Sequence, residues 1–107
     1  MPNQFIERLE NLIRVVSNVP DDKFDIKCWY NPITQCGCAI GHAIRDEYFI
    51  SHGFKPNVAD ALGIAKFLDI DAKQAIALFY RCLGNETRLD NLASLRGLLL
   101  EKMAQAT

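Results

Sequence analysis

Helical punctuation constrains this chain more than any other feature. Apolar residues return at three- and four-residue steps in one segment after another. Most of these segments open on a residue able to cap a helix and close near glycine or proline. Phe5, Leu9, Leu12 and Val16 form the first such row, widened by Ile6 and Ile13, while Glu7, Arg8, Glu10 and Arg14 fall mostly on the other side. Pro20 lacks an amide hydrogen and biases its predecessor away from the helical region, so the first helix is predicted to stop near Asn18.

Three later helices carry start signals. Asn57 with Asp60 can cap a helix from Val58 to about Leu68. Asp71 with Gln74 has the form of a capping box for Ala72 to Leu83, ended by Gly84. Thr87 with Asp90 can open the last helix, to about Ala104, and first-turn acids suit the positive end of each helix dipole. The inward faces are read as Ala75, Ile76, Phe79 and Leu83, and as Leu92, Leu95, Leu99 and Met103. One more helix is predicted from near Gly37 to about Ile50, with Ile40, Ala43 and Ile44 as its stripe and Gly53 as a left-handed cap. Glu47 falls on that stripe, and the expectation is that the stripe has reached the surface there.

Residues 20–36 do not follow the helical pattern. Pro20-Asp21-Asp22 and Asn31-Pro32 read as turns. Phe24 to Trp29 alternates like a strand, but the sequence offers no second strand to pair with it. The segment is therefore read as an extended loop pinned by Phe24, Ile26 and Trp29. The expected fold is all-α: a compact single domain, residues 1–107, of about five short helices with one long structured loop at about residues 20–36. With 107 residues, half of them apolar, a core can form without metal or disulfides.

Composition narrows the partners. The net charge is −1 and no element carries a basic excess, so nucleic acid is not expected. No apolar run approaches the ~18 residues of a membrane span, so no membrane is expected either. Met1-Pro2-Asn3-Gln4 leads into the first helix without a basic head or an apolar stretch, which predicts a cytoplasmic chain whose four cysteines stay reduced.

Cys36-Gly37-Cys38-Ala39-Ile40-Gly41-His42 is the densest concentration of chemistry, eight positions after Cys28-Trp29. Three readings stand open for it. Cys28, Cys36, Cys38 and His42 form an accepted zinc ligand set, with Cys38 and His42 one turn apart on a helix face. Cys36 or Cys38 at a helix N-terminus could be a reactive thiol with His42 as its base and Asp25 or Asp46 orienting the ring. In the third reading the thiols pack and His42 bonds a backbone carbonyl or a carboxylate, which is what a lone histidine on an apolar helix usually does. The third is preferred, so no cofactor is expected, with zinc as the alternative. His52 reads as a solvated helix-end residue, and Trp29-Tyr30 as a loop anchor or a pocket wall. Val58 to Ile64 also echoes the opening of a helix-turn-helix, but residues 65–76, which would then read DNA, set Asp69 and Asp71 against Lys66 and Lys73.

The stretch from Phe24 to Ala43 resembles a group of small uncharacterised bacterial and phage-associated proteins. Their pattern runs Phe-Asp-Met, a nearby Trp, Cys-Gly-Thr, a second Cys, then Gly-Trp-Ala or Gly-His-Ala. Here it stands as Phe24-Asp25-Ile26, Trp29, Cys36-Gly37, Cys38 and Gly41-His42-Ala43, with Leu68-Asp69-Ile70, Ala75 and Leu78-Phe79 echoing a later motif. The cysteine spacing here is tighter than in the group. The resemblance implies an all-α domain in a bacterial cytoplasm and no particular activity. With no complete catalytic set, no phosphate loop and no basic patch, the expected function is a small binding or regulatory module. It would act through a protein partner or as a homodimer.

Overall fold

The first helix, α1 (Gln4–Asn18), sets the frame. Asn3 caps it, its side-chain oxygen accepting from the amides of Phe5 at 2.9 Å and Ile6 at 3.3 Å. Its buried face is Leu9, Leu12, Val15 and Val16, the predicted stripe turned slightly toward Val15. In the computed structural model, residues 3–25, 30–31, 33–54, 61–79 and 87–105 are described. Six α-helices stand among them: α1, α2 (Ala39–Ala43), α3 (Glu47–Ser51), α4 (Ala61–Leu68), α5 (Ala72–Phe79) and α6 (Arg88–Gln105). α1 packs against α6, α2 and α4, and α4 pairs with α5. The radius of gyration is 13.0 Å, matching the ~13 Å of a compact single chain near this length. The architecture is all-α, as the sequence predicts.

Two capping boxes form as read. The amide of Gln74 donates to Asp71 Oδ1 at 2.8 Å and the amide of Asp71 to Gln74 Oε1 at 3.2 Å. Thr87 and Asp90 exchange the same pair of bonds, at 2.9 and 3.2 Å. The Asn57–Asp60 cap, Leu83 and Gly84 lie outside the described residues. Ile76 and Met103, read as inward, are instead 50% and 48% exposed, because α5 turns Ala75 and Phe79 inward and α6 turns Leu92, Leu95 and Leu98. Residues 65–76 do not form one helix. Asp69 takes a left-handed φ of 56° and the amide of Ile70 closes on Ala65 O at 2.9 Å, so α4 stops before α5 begins.

The loop differs from expectation in one respect. Tyr30–Asn31 (β1) finds an antiparallel partner in Cys36–Gly37 (β2), with Tyr30 opposite Gly37 and Asn31 opposite Cys36. Gly37 also bridges Phe24, and its carbonyl accepts the Asp25 amide at 2.9 Å. The partner strand was hidden in the residues read as a helix start. A two-residue strand carries no periodicity, and only the turn between the strands reveals it. A one-turn 3-10 helix, Asp21–Lys23, precedes this ribbon.

The helix predicted from Gly37 to Ile50 is two helices for the same reason. Strand pairing claims Gly37, so α2 begins at Ala39. It ends when the Arg45 amide turns back to His42 O at 3.2 Å and that of Asp46 to Ala43 O at 2.9 Å. Asp46 then caps α3 by accepting the Tyr48 amide at 3.1 Å. Glu47, carried off the stripe by this break, is exposed.

α3 closes in a Schellman motif. Gly53 sits at φ 81°, its amide reaches Ile50 O at 3.1 Å, and that of Phe54 reaches Phe49 O at 2.9 Å. The two ends of that 2.9 Å bond, Phe49 and Phe54, also meet as rings, with centroids 5.8 Å apart. Phe67 joins them at 5.8 and 4.7 Å, and the Arg8 guanidinium covers Phe67 at 4.1 Å while donating to its carbonyl at 2.9 Å. Asn91, fully buried, donates to Leu78 O at 3.1 Å and so pins α6 to the end of α5.

Candidate functional site

A cleft opens where the last two turns of α1 face the 3-10 turn, the β1–β2 turn and the corner between α2 and α3. Its volume is about 520 Å³, and its walls include Arg14, Asn18, Lys23, Gln35, His42, Arg45 and Asp46 over a floor of Val15 and Val19. Sites for small ligands or single side chains usually measure roughly 300–1,000 Å³. Each wall residue arrives by a different local device. Arg14 lies one turn from the end of α1, beside the buried Val15. Lys23 closes the 3-10 turn and donates from Nζ to Thr34 O at 2.9 Å, tying that turn to the ribbon. The break between α2 and α3 supplies Arg45 and Asp46.

Gln35 reaches the cleft through an unusual backbone. Asn31 Oδ1 accepts the amides of Ile33 at 2.9 Å and Thr34 at 3.4 Å, and the Gln35 amide returns to Asn31 O at 2.7 Å. That winding leaves Gln35 at φ 61°, in the left-handed region. A non-glycine side chain there costs roughly 1–2 kcal/mol. Such costs concentrate at functional positions.

The charges are unbalanced. Three cations, Arg14, Lys23 and Arg45, line the cleft, and Asp46 is the one carboxylate among its described lining residues. The molecule as a whole is at −1, so this cationic concentration is local. Arg14 grips Asp46 with its fork, Nη1 to Oδ1 at 3.2 Å and Nη2 to Oδ2 at 2.8 Å. The hydrogen bond from Arg14 holds the Asp46 carboxyl below its ordinary value against the opposing effect of burial, and the guanidinium charge with the Tyr48 and Phe49 amides helps. The same bond raises Arg14 further.

Of the described zinc and thiol candidates, His42 lines the cleft. Its Nε2 lies 2.9 Å from Lys23 O. A carbonyl oxygen only accepts, so the proton is on Nε2 and the ring is a strut between α2 and the 3-10 turn. This is the backbone-carbonyl bond expected of a packed histidine. Cys38 is buried at 2% exposure. The Cys36 thiol donates to Asp22 O at 3.3 Å, and neither cysteine lines the cleft. Cys28 and Trp29 lie outside the described residues. Among the described residues, no group of three or more His, Cys, Asp or Glu is gathered to hold a metal. Asp46, a candidate third group for His42 in the sequence, pairs with Arg14 at 2.8 Å. His52 sits at the end of α3, exposed, with Nδ1 2.7 Å from Tyr48 O and its ring stacked on Tyr48 at 4.1 Å.

Arg14, Lys23 and Arg45 carry no mark in the sequence. They look like ordinary solvent-facing charges, and they converge because α1 ends beside the corner that follows α2. Among the described residues, no helix is long and apolar enough to cross a membrane. Comparison of the chain with protein-family models, with curated proteins and with solved structures found no match.

Proposed function

We propose that this chain is a small binding module that acts in the cytoplasm by docking an acidic segment of a partner protein in the cleft between α1 and the α2–α3 corner. The observation that carries this reading is three cations around about 520 Å³ with one carboxylate among the described lining residues, on a chain whose net charge is −1. The apolar floor of Val15 and Val19 suits an aliphatic side-chain stem, while the cationic walls suit the acid at its tip. The strained Gln35 at the rim favours a functional surface over an incidental hollow. Labelled hexaglutamate, titrated by fluorescence anisotropy against hexalysine, tests it. Hexaglutamate alone should bind, more weakly as salt rises, and Lys23→Glu and Arg45→Glu should each weaken it by roughly tenfold. Binding unaffected by both substitutions would remove the cleft from the explanation.

A second reading, a homodimer, is favoured by α6. Leu89, Leu100 and Met103 are 63%, 68% and 48% exposed and share one row of that helix with Ala93. Sedimentation of the chain and of Leu100→Glu tests it, and a monomer at high concentration would refute it.

A further inference from the structure

We infer that the group recognised in the cleft is a carboxylate, and that it binds by taking the Arg14 fork from Asp46. This rests on the reading of the cleft as a docking site for an acidic segment, and it adds what the incoming group must be and what it displaces.

Asp46 shows what the fork accepts. Two nearly parallel bonds, 2.8 and 3.2 Å, join a planar guanidinium to a planar carboxylate, the geometry that distinguishes arginine from a point charge. The fork can be reached from solvent, since the Arg14 side chain is 45% exposed while that of Asp46 is 21%. Asp46 also has another partner to keep. Its Oδ2 accepts the Tyr48 amide at 3.1 Å as the cap of α3, so release of Arg14 does not leave the carboxylate without a donor. Arg14 Nε remains bonded to Asn11 Oδ1 at 3.2 Å, which holds the guanidinium near its place during the exchange.

An external acid gains two things besides the fork, the neighbouring Lys23 ammonium, which has donors beyond the one given to Thr34 O, and the apolar floor. Exposed ion pairs are weak, so a tethered one can be displaced. Asp46 is then an internal competitor that sets the affinity of the cleft, and the geometry selects an acid able to enter an arginine fork while spanning toward a second cation.

The experiment compares hexaglutamate binding to the native chain, Asp46→Asn and Asp46→Ser, with a thermal melt of each variant as a control for folding. Asparagine and serine both cap helices well, so α3 is retained while the competing charge is removed. Both variants should bind hexaglutamate roughly three- to tenfold more tightly than the native chain, and Arg14→Gln should abolish that gain in the double variants. If the native chain and both variants bind equally, or the folded variants bind more weakly, the exchange is wrong while the cleft remains a docking site. If none of them binds hexaglutamate, the docking reading fails and the exchange falls with it.

Discussion

Replacing Asp46 with alanine removes two interactions that share one carboxylate, and comparison with asparagine separates them. The cap on α3 is one, with the Tyr48 amide 3.1 Å from Oδ2. Loss of such a cap costs roughly 0.5–2 kcal/mol, typically about 1. The Arg14 pair is the other, at 2.8 Å, but with Arg14 45% exposed solvent screens it. Its contribution is about 0.4 kcal/mol. Asp46→Ala should therefore cost about 1.5 kcal/mol, or a fall in melting temperature of about 6 °C for a chain of this size. Asp46→Asn, which keeps the cap, should cost only about 0.4 kcal/mol. The pH dependence follows from the lowered pKa of Asp46. A depressed folded value means the contribution is complete above the ordinary carboxylate range near ~4 and is lost as pH falls through the lower folded value. The gap between native chain and Asp46→Asn should be constant from about pH 5 to 7 and shrink below about pH 4. Urea unfolding followed by circular dichroism across that range is the assay. Asparagine as damaging as alanine would refute the separate cap, and a gap that widens in acid would refute the ion pair.

Three further outcomes are expected. Leu95→Ala, at a site with 0% exposure, should cost about 3 kcal/mol in urea unfolding. Leu100→Ala, 68% exposed on the same helix, should stay within about 0.5 kcal/mol, and equal losses would place α6 in the wrong rotation. In a brief iodoacetamide pulse read by mass spectrometry, Cys36 should alkylate about tenfold faster than the buried Cys38. A chelator should leave the melting temperature unchanged, and a fall of several degrees would instead support zinc held by Cys28, Cys36, Cys38 and His42.

Legibility in the sequence followed the range of the interactions. The Asp71–Gln74 and Thr87–Asp90 boxes and the Gly53 cap are visible because each completes itself within a few residues. The β1–β2 pair and the break at Asp46 are not, because a residue such as Gly37 suits a helix start and a strand equally until Tyr30 and Phe24 arrive beside it. The site was partly visible. His42 stood out by residue type, and its bond to Lys23 O is the one a lone histidine suggests. Asp46 was a candidate only as a partner of His42, and nothing linked it to Arg14, 32 positions away.

Taken alone, the sequence determined that the chain is helical, where α1 and α6 begin and end, where α4 stops and α5 starts, and which apolar residues are available for a core. These are local matters, settled by backbone hydrogen bonds and side-chain periodicity over a few residues. Tertiary packing decided which apolar residues stay outside, how the Phe24–His42 segment divides between ribbon and helix, and that three unremarkable cations surround one cleft. Those outcomes depend on which surfaces meet across long stretches of chain, and a charge becomes part of a site only when the fold sets another beside it.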